Sequence, residues 1–249
     1  MEKQISPSDS EHHPVTVSGQ NNEFIHIGQT KVRKDELLSA FGGSLYTGVT
    51  APPTHKFANP GPLGLSAFAL TTFVLSMINA RAMGITNNKV VIGLAYFYGG
   101  GIQLLAGMWE IAIENTFGGT ALSSYGGFWM AWASINTPAF GIASSYEDKA
   151  ELSHALGFFL LGWTIFTAML TLCTVKSTLA FSAMFALLTV TFLLLTIGDF
   201  IRNTNFTRAG GVLGVIVAFM AWYNAYAGIA TPQNSYITIK PLYLPGGRA

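Results

Sequence analysis

The sequence predicts an all-α membrane protein built around a bundle of six transmembrane helices. Half of its 249 residues are hydrophobic and only 10% are charged, whereas soluble proteins carry about 25% charged residues. Glycine is abundant, with 27 residues, as in membrane helices whose backbones approach closely. The apolar residues also fall into six long runs, each close to or above the ~20 residues that a helix needs to cross a ~30 Å hydrocarbon core.

The six apolar runs are separated by short polar connectors. They cover residues 62–82, 89–112, 121–143, 153–175, 178–200 and 209–230. A segment in lipid must satisfy its own backbone hydrogen bonds, which favours helices. The strands of a membrane barrel would alternate in polarity over ~10 residues, and these runs do not alternate. Each run therefore predicts one transmembrane helix.

Polar segments flank the six runs. Residues 1–56 are rich in polar and charged residues, which predicts a disordered N-terminal tail. Residues 57–231 then form the six-helix transmembrane domain, and residues 232–249 form a short C-terminal tail. Six spans put both termini on one side of the membrane. The Lys and Arg residues near the helix ends mildly oppose a cytoplasmic location for that side, but the polar tail shows no signal-peptide region, and we expect cytoplasmic termini.

The composition argues against several classes of function. The net charge of +1 gives no reason to expect a nucleic-acid partner. The single cysteine, Cys173, cannot form an intrachain disulfide or a cysteine metal cluster. The apolar runs contain no metal-ligand cluster and no paired nucleophile and base. We therefore expect no metal, no cofactor and no enzymatic activity.

The most informative stretch is the start of the first run, where Asn59, Pro60, Gly61 and Pro62 follow one another. Proline suits the first turn of a helix, and Asn59 lies close to the capping position. The free N–H groups of a first helical turn form a weak anion site, which transporters use to bind carboxylates. The same residues also suit a plain helix start at the membrane surface.

The run NPGPLGL at residues 59–65 resembles the NPAPLGL signature of the acetate uptake transporter family of bacteria and fungi, with Gly61 in place of the usual Ala. The resemblance covers residues 57–239. Its other motifs lie at residues 97–100, 103, 110, 115–121, 124–129, 209–214 and 221–226. The last span and the long polar tail look most like the fungal plasma-membrane acetate permeases.

The resemblance implies a fold, an assembly and a function. It implies a six-helix protomer in a homo-hexamer, with a separate path through each protomer and contact with the lipid bilayer of the plasma membrane. Small monocarboxylates, chiefly acetate, are the implied substrates, moved together with protons or as the protonated acid. An acetate or anion channel, an ammonium exporter and a membrane sensor of acetate are the alternatives.

Motif matching also implies site residues. The implied constriction of the path consists of Phe68, Tyr125 and Leu188. The expected substrate contacts are Asn59, Pro60, Gly61, Gln103 and Tyr125. Without the resemblance, Asn59 and Gln103 would each more often be residues that form hydrogen bonds between helices than substrate ligands.

Three ionisable residues are candidates for proton coupling. Glu110 and Glu114 are four residues apart and would share a helix face, which suits either a proton relay or a solvated helix end. His154 opens the fourth run and can titrate near neutral pH, although an interfacial histidine is the simpler interpretation.

Overall fold

The computed structural model describes residues 15–19, 23–40 and 57–247. The chain divides into two compact units, Met1–Lys56 and Phe57–Ala249. A short antiparallel sheet and one short helix make up the described part of the first unit. Long helices make up most of the second.

The sheet of the first unit has three strands in the order β1-β2-β3. The strands are β1, Val15–Ser18, β2, Phe24–Ile27, and β3, Thr30–Arg33, and helix α1, Lys34–Ala40, follows them. Val17 pairs with Ile25, which also pairs with Val32, so one face of the sheet is apolar because side chains alternate between faces. Gly28, with a φ of 61°, lies in the tight turn between β2 and β3.

This sheet lies in the segment for which the sequence predicts a disordered tail. Each strand has only four residues, and the apolar positions alternate with polar ones. So short an alternation does not stand out against a polar composition, and the pairing of three strands becomes evident only from the structure.

Among the described residues, five helices are long and apolar enough to cross a membrane. They are α2, Gly61–Asn79, the composite helix Val90–Ala112, α6, Lys149–Thr174, α7, Leu179–Phe200, and α8, Thr204–Ile229. These five correspond to predicted spans one, two, four, five and six.

The predicted third span, residues 121–143, differs from the structure. The corresponding helix, α5, is Thr116–Asn136 and has 21 residues, but it is less apolar than the other five. It begins earlier because the Asn115 side chain accepts a hydrogen bond from the Gly118 N–H at 3.0 Å and caps the helix. It ends earlier because Pro138 follows Thr137, which is extended.

The second span is not a regular helix throughout. Helix α3, Val90–Tyr96, passes into a π-helical turn, Phe97–Ile102, and then into α4, Gln103–Ala112. At Gly99 a side chain would begin 2.8 Å from Cβ of Thr71 on α2, so only glycine fits this approach. The wider π turn changes the direction of the residues that follow it, and such turns are frequent at functional sites.

The helices pack most extensively as α2 with α8, α6 with α7, α7 with α8, and α4 with α5. Glycines permit the contact between α2 and α8. A Cβ on Gly211 would lie 2.8 Å from the carbonyl carbon of Asn79, and a Cβ on Gly214 would lie 3.1 Å from Cβ of Ser76. The small residues of α8 therefore serve packing inside the protomer.

Replacing Gly211 by Ala should destabilise the protein. The new methyl group would press against the backbone of α2 and force the two helices apart, at a cost of about 1–3 kcal/mol. Gly162→Ala is the matched control, because Gly162 also lies within a long helix but has nothing within 4 Å of its Cβ position. Thermal unfolding in detergent should show a lower Tm for Gly211→Ala than for Gly162→Ala, and equal Tm values would contradict this packing.

Candidate functional site

A cavity of about 280 Å³ opens at the end of the bundle where α2 begins and α8 ends. Its walls come from α2, α4, α5, α7 and α8. The residues that form its mouth are Asn59, Gly61, Glu110, Asn115, Gly118 and Gly228. Those that lie along its interior are Pro62, Leu65, Phe68, Gln103, Phe117, Ala121, Leu122, Tyr125, Phe181, Met184, Phe185, Leu188 and Asn224.

A hydrogen bond between Asn115 and Glu110 stabilises the mouth of the cavity. The Asn115 side chain donates from Nδ2 to Oε2 of Glu110 and accepts from the N–H of Gly118. Asn115 therefore joins the carboxylate on α4 to the first turn of α5. Glu110 is only 2% exposed, and a buried carboxyl needs such a donor because desolvation is costly.

On the opposite side of the mouth, the start of α2 is shaped by Asn59, whose Oδ1 accepts a hydrogen bond from the Gly61 N–H at 3.0 Å. Pro60 is the residue that precedes the first turn of α2. A Cβ on Gly61 would lie 3.0 Å from Oε1 of Glu110 and 3.2 Å from Oδ1 of Asn59. The glycine therefore leaves room beside the buried carboxylate, which an alanine would crowd.

Gln103 is the buried polar group of the interior. It is 0% exposed, and neither its Nε2 nor its Oε1 has a hydrogen-bond partner among the described residues. Leaving both ends of a buried amide unpaired is unfavourable. Gln103 belongs to the wall of the cavity, but its amide lies behind the surface that a water molecule reaches.

The three residues expected to form the constriction lie together at the inner end. Phe68, Tyr125 and Leu188 are all at most 5% exposed and all line the cavity. The rings of Phe68 and Tyr125 are 5.7 Å apart between centroids. The Tyr125 hydroxyl is 3.0 Å from the Thr167 hydroxyl on α6, which satisfies its hydrogen bonding within the protein.

Aromatic side chains continue beyond Tyr125 into the bundle. Its ring contacts Trp163 and Phe166 at centroid distances of 6.1 and 5.9 Å, and Phe128 contacts Trp163 and Phe192 at 5.2 and 5.3 Å. Phe128 also lines a second cavity of about 190 Å³ at the opposite end of the bundle. The two cavities have no lining residue in common, so an apolar layer separates them.

The candidates for proton coupling are not brought together. Glu110 lines the first cavity. Glu114 is exposed, with a φ of 68°, because α4 ends at Ala112 and the chain turns before α5. A helix face shared by the two glutamates therefore does not form. His154 is exposed in α6 and, like Glu114, lines neither of these two cavities.

The charge of the first cavity is unusual for a carboxylate site. Among the described residues that line it, Glu110 is the one acidic residue, and none is Lys, Arg or His. Asn115 was not among the expected site residues, although the asparagine before an apolar run is a capping signal that could have identified it. Phe181, Met184 and Phe185 were also missed, since nothing distinguishes them from core residues in the sequence. Among the described residues no cluster of three or more possible metal ligands occurs.

Comparisons with known proteins agree with this architecture. Residues 41–246 match the GPR1/FUN34/yaaH family. The chain is 62% identical over 232 residues to ammonia transport outward protein 2 of Saccharomyces cerevisiae, which covers 93% of this chain and 82% of that protein. It is 50% identical over 224 residues to acetate permease A of Emericella nidulans, which covers 85% and 75%. The solved structure of the bacterial acetate channel SatP matches with a TM-score of 0.65 and 34% identity, over 72% of this chain and 96% of that chain.

Replacing Asn115 by Ala should destabilise the folded protein by more than the loss of a helix cap alone. It removes the cap of α5, worth about 1 kcal/mol, and it leaves the buried Glu110 carboxylate without its donor, which costs about 1–3 kcal/mol more. Asn203→Ala is the control, because Asn203 caps α8 and its side chain has no hydrogen bond to a carboxylate among the described residues. Thermal unfolding should show the larger loss for Asn115→Ala, and adding Glu110→Gln should reduce it. Equal losses for the two caps would show that the pair contributes nothing.

Proposed function

Because the chain belongs to the GPR1/FUN34/yaaH family, we propose that it carries small monocarboxylates, chiefly acetate, across the membrane. A relative that is 50% identical is named acetate permease A, and the similar solved structure is that of an acetate channel. The observation on which the proposal depends most is the first cavity, which ends on an apolar aromatic floor and has the unpaired buried amide of Gln103 in its wall.

The described residues that line this cavity include no Lys or Arg, which favours passage over tight binding. A buried Lys or Arg would hold a carboxylate firmly, whereas a transport path needs sites that release their occupant. Apolar surroundings strongly disfavour an ionised carboxylate and disfavour the neutral acid much less. We therefore propose that the substrate crosses as the protonated acid or together with a proton.

The residues of the cavity take the following roles in this proposal. Asn59, Pro60 and Gly61 form the entrance. Gln103 binds the polar end of the substrate, and Phe68, Tyr125 and Leu188 form the constriction, with Tyr125 also contacting the substrate. Among Glu110, Glu114 and His154, we assign proton coupling to Glu110, because it alone lines the cavity.

The same proposal covers the membrane arrangement. Helix α5 serves as the remaining span, the third along the chain, because its small residues fit between other helices: a Cβ on Gly126 would lie 2.7 Å from Cβ of Leu104 on α4. A helix shielded by its neighbours can tolerate a lower hydropathy than one that faces lipid. A homo-hexamer in the plasma membrane, with cytoplasmic termini, completes the proposed arrangement.

Ammonium export is the second candidate function. A relative that is 62% identical is named ammonia transport outward protein 2, and the acidic Glu110 at the mouth would attract a cation rather than an anion. Uptake of labelled acetate by proteoliposomes that contain the pure protein distinguishes the two. Acetate uptake that increases under an acidic exterior supports the first function. Ammonium flux that acetate does not inhibit, without acetate uptake, would support the second.

Truncating the Leu188 side chain at the proposed constriction should allow larger monocarboxylates to pass. Leu188→Ala enlarges the proposed constriction, and one methylene of fit changes discrimination between substrates by about 1–3 kcal/mol, or roughly 10–200-fold. The measured quantity is the ratio of butyrate to acetate uptake in proteoliposomes. Leu193→Ala is the control, since Leu193 lies on the same helix and is 42% exposed. An unchanged ratio for Leu188→Ala would exclude Leu188 from the constriction.

Removing the charge of Glu110 should weaken the coupling to protons. With Glu110→Gln, acetate uptake should respond less to an inward proton gradient, because the described lining of the cavity then contains no carboxyl group. Glu114→Gln changes an exposed glutamate four residues away and should leave the response as in the parent protein. Uptake is compared with and without the gradient at equal external acetate. A full response in Glu110→Gln would refute the assigned role.

A further inference from the structure

A third cavity of about 140 Å³ lies at the end of the bundle opposite the mouth formed by Asn59 and Glu110. It is formed by the end of α2, the connector that follows it, and the first turns of α8. Ile78 is the apolar member of its described lining. The other lining residues are polar or cationic: Asn79, Arg81, Thr86, Asn88, Thr204, Thr207 and Arg208. None of these described lining residues is acidic.

Neither arginine of this cavity has an acidic partner among the residues that the structure describes. The ion pair in the described residues joins Arg33 to Asp35 in the other unit, and neither Arg81 nor Arg208 lies within ion-pairing distance of a described carboxylate. Two like charges in one small cavity repel each other. An anion between them would relieve this repulsion, and guanidinium groups are suited to planar, bidentate contact with a carboxylate.

The cavity adjoins the second cavity of the bundle. Both are lined by Asn79, Asn88 and Thr207. The second cavity reaches Phe128 of the apolar layer and contains one carboxyl group, Asp199. An anion held by the arginines would therefore lie next to the space that leads to the layer.

We propose that Arg81 and Arg208 form a binding site for the ionised carboxylate of the transported acid, beside the second cavity. This inference rests on the proposed function for the identity of the anion. Any small oxyanion shares the required chemistry, including the phosphate of a lipid headgroup. The shared lining with the second cavity favours the carboxylate, because a lipid headgroup would not need access to the bundle interior.

Direct binding tests the site without relying on transport. The probe is ¹³C-acetate at neutral pH, added to the purified full chain in detergent, with line broadening of its NMR signal as the readout. The variant Arg81→Gln with Arg208→Gln should weaken acetate binding by about tenfold, and each single change by about threefold, as expected for charge-assisted hydrogen bonds at an exposed site. Arg202→Gln is the matched control, since Arg202 is also exposed in the connector before α8 but lines none of the three cavities.

Two further measurements distinguish electrostatic binding of acetate from a loss of folding in the variants. Raising the ionic strength from about 0.02 M to about 0.2 M should weaken acetate binding to the parent protein but not to the double variant, because salt screens exposed charges. Substituting both arginines by Lys should retain part of the binding, and equal Tm values should show that all variants are folded.

Unchanged acetate binding in the folded double variant would overturn the inference. So would an anionic phospholipid that is retained by the parent protein in native mass spectrometry and lost from the double variant while acetate binding stays the same. Absence of acetate uptake in proteoliposomes would instead overturn the proposed function. Because binding and uptake are measured separately, the failure of the arginine site can be distinguished from the failure of the proposed function.

Discussion

The cost of removing a carboxylate from water is the constraint on which the interior of this protein depends. Phe68, Tyr125 and Leu188 close the inner end of the first cavity, and Phe128, Trp163 and Phe192 continue the apolar layer toward the second. Ionised groups cross such a layer only at great cost. Under the proposed function, the layer therefore favours the neutral form of a small acid over its anion, and the polar groups on either side of it act in binding and release.

Close helix packing puts the residues of the layer in place. Phe68 lies on α2, which approaches α8 through Gly211 and Gly214 and approaches the π turn through Gly99. Tyr125 lies on α5, where it is tied to α6 through Thr167. The glycines thus set distances between helices that larger residues would not permit, and these distances determine whether the aromatic rings meet.

The sequence predicts much of this architecture, because hydropathy follows directly from composition. Five of the six predicted spans agree with apolar helices of membrane length. The ends of α5 were misplaced because the cap at Asn115 and the stop at Pro138 are local signals that a hydropathy run does not contain. The π turn at residues 97–102 was not predicted either, since three consecutive glycines are compatible with several backbone conformations.

The site was only partly predictable for a different reason. The resemblance placed Phe68, Tyr125 and Leu188 together, and they do lie together in one cavity. The contact between Glu110 and Asn115 depends on how α4 ends and α5 begins, so residue spacing alone did not reveal it. The exposed positions of Glu114 and His154 likewise follow from backbone geometry that only the structure provides.

The charge of the species that crosses the apolar layer is the most direct test of this account. Pure protein in a voltage-clamped planar bilayer, with an acetate gradient across it, gives the electric current and the flux of labelled acetate together. Crossing as the neutral acid predicts a flux of label without a matching acetate current. A current that reverses at the equilibrium potential of acetate would show that the anion itself crosses, and would contradict the account.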